Sequence, residues 1–389
     1  MIIRIVAVLA AVIAAIWLFA SYSKIPEQPS SDLASAKWLA HSIYEVGFVA
    51  MELKDRSRAT SSNKEYSGAS SRQFEGGLWY PAVEGDAIAP GLHPLVIYSH
   101  GFGSNYSSGE YLAENLASRG YIVLSMNYPL TNMDAPGGLL VRDVANQPAD
   151  ISFFIDSLLA MNTDRDSFLH QRIDATSIGA MGISLGGMTT TMAAFHPSKG
   201  DDRIKAAISL AGLSAMFSEK FYQHKELPFL MIAADQDVIA SYVTNAQPVL
   251  ERVGGATLIN IKGGSHIGFS SFAGHLRWLN NPDIVACWSV MRNLQDESVD
   301  ELGSWHDEIG LAAEGVLKVV EMPLCPEQLP KSINPLRQQQ LTQMAVASFF
   351  EMVFAQTQTE RDRARQYLAT DFTAENHDVT LETGAIKVN

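Results

Sequence analysis

The sequence predicts an α/β fold with a mostly parallel central sheet flanked by helices. Three observations carry that prediction. Short, nearly all-apolar runs recur from residue 74 onward, as expected of strands buried on both faces. Helical patterns separate them, so the strands are joined by crossovers rather than hairpins. Finally, glycine, serine, histidine and aspartate cluster just past the ends of those runs, where such folds place their functional loops.

Taken in order, "FEGGLWYPA" reads as an early strand and "LHPLVIYSH" as a strong one ending at His100. "SGEYLAENLASRG" (108–120) reads as a helix with Leu112, Ala113 and Leu116 on one face, closed by Gly120. "YIVLSMNYP" is the next strand, ended by Pro129. A long helical pattern runs from Arg142 to Leu159, with Pro148 near its start or kinking it. "ATSIGAMG" is a strand and "LGGMTTTMAAF" a helix; "RIKAAISLAG", "LPFLMIAA" and "ATLINIKGG" are strands. "VTNAQPVLERVG" is a helix disturbed at Pro248, and residues 341–356 form a closing apolar helix.

Three segments stand outside this alternation. In residues 1–23, Arg4 precedes sixteen apolar residues, Ile5 to Ala20: a cleaved signal peptide or an uncleaved membrane anchor, with a buried helix as the plainer reading. Residues 24–73 read as a linker or N-terminal extension, with an amphipathic piece at Leu33–Val49 and an exposed, serine-rich stretch after it. Residues 270–335 interrupt the last part of a 74–389 domain as a lid or subdomain, carrying Trp278, Trp288, Trp305 and both cysteines. Either N-terminal reading exports the domain to a periplasmic, secreted or membrane-anchored location. An oxidising compartment would let Cys287 and Cys325 pair.

Composition narrows the function. With 47% hydrophobic and 18% charged residues the chain is not disordered as a whole. A net charge of −14 argues against nucleic acid or an anionic membrane surface as the main partner. No Gly-Lys-Ser/Thr loop, helix-opening Gly-x-Gly-x-x-Gly, His-Glu-x-x-His or Cys/His ligand cluster is present, so neither a cofactor nor a metal is expected.

The chemistry centres on "SIGAMGISLGGMTTTMAAF", where a strand meets Gly-x-Ser-x-Gly and then a helix. Glycines on both sides of Ser184 permit a tight strand-to-helix turn that exposes the serine, and the helix N-terminus faces developing negative charge. The plainer reading is a helix cap. A serine nucleophile needs a base. His266, in "IKGGSHIGF" after the last parallel strand, has the right place in the chain order Ser, acid, His. "FLMIAADQDVIA" offers Asp237 as the acid, with Asp235 the alternative; the other would make a turn hydrogen bond. Leu185 and Phe102, the latter in "SHGFGSN", would supply the oxyanion amides. His196 reads as a helix C-cap and His100 as a residue shaping the loop.

"PLVIYSHGFGSN", "YLAENLASRGYIV", "ANQPADISFFIDSLL", "IGAMGISLGGMTT", "AAISLAG" and "GGSHIGF" resemble the α/β-hydrolases called predicted dienelactone hydrolases. These are akin to platelet-activating-factor acetylhydrolases and, more distantly, to cutinase-like polyesterases. The likeness covers about 74–270, and the last helix resembles the closing part of such domains. It implies Ser184 as nucleophile, Asp237 as acid, His266 as base and the Phe102 and Leu185 amides as oxyanion donors. Dienelactone hydrolases proper carry a cysteine nucleophile, so Ser184 points to ordinary ester hydrolysis. Ala234 replaces the usual glycine of the acid loop, which keeps Asp235 in play. The expected function is a serine carboxylic-ester hydrolase acting on a small or lipid-like ester. Phospholipid or short-acyl hydrolysis, polyester hydrolysis and a non-catalytic exported binding protein are the alternatives.

Overall fold

The computed structural model describes residues 12, 14, 15, 18, 25–40, 43–84, 87–294, 306–318 and 324–385. The signal-or-anchor reading of residues 1–23 thus falls, but for four residues, outside the described residues, as do Trp305 and the acidic run at 296–301. Among the described residues no helix is long and apolar enough to cross a membrane.

The apolar runs become the strands β1 (Glu45–Asp55), β2 (Arg72–Val83), β3 (Ala87–Ile88), β4 (His93–Ser99), β5 (Ile122–Met126), β6 (Ile173–Ile183), β7 (Ile204–Leu210), β8 (Phe229–Ala234), β9 (Thr257–Ile261) and β10 (Val379–Thr383). Between and around them lie the helices α1 (Ala34–Leu39), α2 (Glu110–Ser118), α3 (Gln147–Thr163), α4 (Leu185–Phe195), α5 (Asp283–Leu294), α6 (Pro335–Phe354) and α7 (Gln358–Gln366). The strands form one sheet in the order β1-β2-β5-β4-β6-β7-β8-β9-β10, with β3 on β2. From β5 to β9 every pairing is parallel. β5 and β8 bury every residue, and β7 every residue but Lys205, because helices cover both faces. On one face Phe154 and Ile155 of α3 and Met188 and Met192 of α4 close the core. On the other, Leu112 and Leu116 of α2 meet Phe349 and Phe350 of α6.

The sheet is mostly parallel, as expected, and two local readings are corrected. The sheet is antiparallel at both edges, where β1 and β2 join β5 on one side and β10 joins β9 on the other. β1 is partly exposed along much of its length, the pattern an antiparallel edge tolerates and a doubly covered strand does not. The amphipathic piece at 33–49 is not one element: α1 ends at Leu39 and β1 begins at Glu45.

The serine-rich stretch before residue 73 is not simply exposed either, because Arg58 and Arg72 reach buried carboxylates. Arg72 is fully buried and donates Nε and Nη2 to Asp150 (2.8 and 2.6 Å) and Nη1 and Nη2 to Asp143 (3.0 Å each). Arg58 bridges Asp55 and Asp150, each at 2.7 Å. Buried charges persist only when paired in this way. Burial nevertheless pushes the Asp150 carboxyl up to about 6, against the pull of Arg72. Pro148 sits in the first turn of α3, where its missing N–H leaves no bond unmade, so it starts that helix rather than kinking it.

Candidate active site

β6 runs straight into α4 through Ser184, whose φ of 57° and ψ of −121° lie where side chains are rarely found. The turn is held by the Ser184 amide, which donates to Leu210 O at 2.8 Å, and by Met188 N, which donates to Ser184 O at 3.0 Å. Its flanking glycines are required by contact. A Cβ at Gly186 would lie 2.1 Å from Ser99 O, and one at Gly182 would lie 2.3 Å from Gly186 O. The Ser184 side chain makes no capping hydrogen bond to α4, so the helix-cap reading does not account for it. Strain at a residue whose side chain does not cap the helix makes that side chain a candidate for function.

Asp237 follows β8 and His266 follows β9, so both open at the carboxyl edge of the sheet that also carries Ser184. His266 Nδ1 is 2.7 Å from Asp237 Oδ2, and both groups are nearly fully buried. The second carboxylate oxygen accepts from the amides of Ile239 (2.8 Å) and Ala240 (2.7 Å). Asp237 is thereby fixed as the partner of the imidazole. Burial disfavours the charged ring, but the Asp237 charge and hydrogen bond, with Asp283 behind them, outweigh it and raise the His266 pKa above its ordinary value. Asp235 instead accepts from Gly263 N at 2.7 Å, a bond between the loops after β8 and β9 rather than the turn bond expected of the alternative acid.

The loop after β4 reaches the serine from the other side. A Cβ on Gly101 would stand 3.2 Å from the Ser184 Cβ, so any larger residue would crowd that approach. The neighbouring Phe102 amide and the Leu185 amide at the first position of α4 have no backbone partner among the described residues outside the regular elements. His100 accepts from Tyr128 N at Nε2 (3.0 Å), so its Nδ1 donates to Gly101 O (2.8 Å). Burial lowers its pKa to about 4, and the neutral ring serves as a brace, as the sequence suggested. Further braces come from Gly103 N to Thr131 O and Met133 N to Ser104 O, both 2.8 Å. His196 caps α4 and donates Nε2 to Ile309 O at 2.8 Å.

Sequence reasoning missed two residues that hold the histidine loop. Gln338 of α6 clamps Ser265, accepting its amide (2.9 Å) and donating to its carbonyl (2.7 Å). Asp283, the first residue of α5, accepts His266 N at 3.0 Å and Ile267 N at 2.8 Å. Neither position carries a local signal, since a glutamine in an apolar helix and an aspartate opening another read as ordinary. Cys287 and Cys325 do form a disulfide, and Cys325 N donates to Val238 O beside Asp237 (3.0 Å). α5 also passes the loop after β4, with Ser289 Oγ 3.8 Å from where a Gly103 Cβ would sit. Trp288 on α5, with Phe272 and Trp278 before it, is more than half exposed. Among the described residues no group of three His, Cys, Asp or Glu could hold a metal ion.

Comparison with known proteins agrees with this architecture. The cutinase est2 of Thermobifida alba is 28% identical over 198 residues, which is 50% of this chain and 57% of that protein. The bis(hydroxyethyl) terephthalate hydrolase of Streptomyces coelicolor is 30% identical over 178 residues, 45% of this chain and 49% of that protein. The chain thus spans about half the length of these curated relatives. A solved ferulic acid esterase from Streptomyces cinnamoneus matches with a TM-score of 0.52 over 92% of this chain and 99% of its own. At 19% identity that likeness is one of fold. Residues 55–278, more than half of the sequence, match the family described as PETase, PET hydrolase-like, and the chain is accordingly a member of that family with the α/β-hydrolase fold.

Proposed function

We propose that this protein is a serine hydrolase that cleaves carboxylic esters through an acyl-enzyme. The observation that carries the reading is the 2.7 Å contact of Asp237 with His266 Nδ1, on the sheet edge where Ser184 is held in a strained turn. With Nδ1 donating to the carboxylate, Nε2 is left as the basic nitrogen. It takes the Ser184 proton as Oγ attacks the ester carbonyl, and the oxyanion is met by the Phe102 and Leu185 amides. The imidazolium then protonates the leaving alcohol. Water attacks the acyl-enzyme by the same route, with His266 again as base. The fold, the family and the ester hydrolases named among its relatives support the reading. Export is part of it, and the disulfide supports export because such bonds persist in oxidising compartments.

A fluorophosphonate probe tests the reading. It should label wild-type protein at Ser184 and fail on Ser184→Ala, which should also lose p-nitrophenyl ester turnover. Absence of labelling would favour the non-catalytic binding protein instead.

A second observation favours bulky, apolar esters within this class. Phe272, Trp278 and Trp288 present aromatic surface on the insertion whose helix α5 passes the oxyanion loop. This supports an aromatic or polymeric ester over a short-acyl one such as that of the acetylhydrolases. Turnover compared across acyl chain lengths, a phospholipid and an aromatic polyester film decides between them.

A further inference from the structure

Among the described residues, Asp283 is the one fully buried carboxylate near the candidate triad that the hydrolytic mechanism leaves without a task. It belongs to the insertion, yet both of its oxygens point at the histidine loop: Oδ2 to His266 N (3.0 Å) and Oδ1 to Ile267 N (2.8 Å). Its own amide is held by Asn281 Oδ1 at 2.9 Å, and Asn281 in turn donates to Pro330 O at 2.8 Å. One turn further along α5, Cys287 is bonded to Cys325, whose amide is hydrogen-bonded to Val238 beside Asp237. The start of α5 is therefore moored to both loops that meet at the imidazole.

We propose that Asp283 is a positioning residue for ester hydrolysis, fixing the backbone of His266 and setting a second negative charge behind the imidazolium. The proposal rests on the reading of Ser184, His266 and Asp237 as a triad. Two effects follow from the same geometry. The two charge-assisted hydrogen bonds lock the loop that aims Nε2, and small errors in such aim are expensive in rate. The charge favours protonation of His266, adding to Asp237 as the ring becomes cationic in the transition state. The ionisable groups facing Asp283 are Asp237 from the acid loop and His266 itself. Burial, then the Asp237 charge, pushes the Asp283 carboxyl up to about 6, so it is ionised where ester hydrolysis by a neutral histidine operates.

The test compares full-length wild type with Asp283→Asn, using a p-nitrophenyl ester across pH. The variant should lose kcat by about tenfold or more with little change in KM. The acid limb of its kcat/KM profile should move to lower pH, because one negative charge has left the histidine. Unchanged kcat together with an unmoved limb would overturn the proposal. Should Asp283→Asn fail to fold, the wild type decides by NMR. The His266 and Ile267 amide protons should follow a carboxyl titration distinct from that of the imidazole ring, and amides that follow the ring alone would overturn it. Fluorophosphonate labelling of the same wild-type sample separates the two levels of inference. Unlabelled Ser184 removes the underlying mechanism, whereas normal labelling with no effect at 283 removes this proposal alone.

Discussion

The Oδ2 of Asp237 meets His266 Nδ1 at 2.7 Å, while its Oδ1 is occupied by two backbone amides of its own loop. The carboxylate is thus aimed before the imidazole arrives, and it cannot rotate away without breaking all three bonds. Asp235, two residues earlier, is committed to Gly263 N instead. Asp237→Asn should reduce kcat on a p-nitrophenyl ester by on the order of 10⁴-fold, since an amide can leave the ring in the wrong tautomer. Asp235→Asn should keep the larger part of its turnover, because asparagine can accept the same amide. Steady-state kinetics of the two variants check this, and the reverse ranking would transfer the acid role to Asp235.

The same contact sets the pH dependence. In the proposed mechanism His266 must be neutral to accept the Ser184 proton, and the neighbouring carboxylates hold its pKa above the ordinary 6.5. Activity should therefore fall on the acid side with an apparent pKa above 6.5, and that value belongs to the coupled His266, Asp237 and Asp283 group rather than to one residue. A kcat/KM profile that stays flat down to pH 5 would be incompatible with a histidine base held in this way.

Ser184 carries a φ of 57° for the sake of its position, not its stability. Such a conformation costs roughly 1–3 kcal/mol in a residue with a side chain, and glycine adopts it freely. Ser184→Gly should therefore melt above the wild type while losing turnover altogether, whereas Ser184→Ala should lose turnover with no gain in melting temperature. Thermal denaturation of the two variants reads the difference directly. A Ser184→Gly protein no more stable than Ser184→Ala would mean the turn is not strained.

The sheet, the elbow and the Asp237–His266 pair were legible because each rests on a local pattern. Apolar runs mark β4 to β9, glycines flank Ser184, an aspartate-bearing loop follows β8 and a glycine-rich one follows β9. What escaped depends on partners remote in sequence. Arg72 reads as part of a polar stretch, and only the fold delivers Asp143 and Asp150 to it. The first residues of β1 read as the end of an amphipathic piece until β2 offers its edge. Asp283 lies 17 residues beyond His266 in a segment with no clear pattern of its own, so its two bonds to the histidine loop become visible only once α5 is placed.

The disulfide closes the same arrangement from the insertion's side. Cys287 and Cys325 are 38 residues apart in sequence, and the bond ties α5 to the strand of chain whose amide pairs with Val238. Removing a crosslink across a loop of that length lowers stability by about 4 kcal/mol where the chain-entropy account holds. The protein reduced under non-denaturing conditions, and the Cys287→Ser/Cys325→Ser double variant, should both melt several degrees below the oxidised wild type. Both should also lose kcat, because freeing Cys325 loosens the loop that carries Asp237 and freeing Cys287 loosens the helix that carries Asp283. Melting curves and p-nitrophenyl ester kinetics with and without reductant check the two consequences separately. A melting temperature indifferent to reductant would remove the crosslink from any part in holding the site, whereas a lower melting temperature with full activity would confine it to the periphery of the fold.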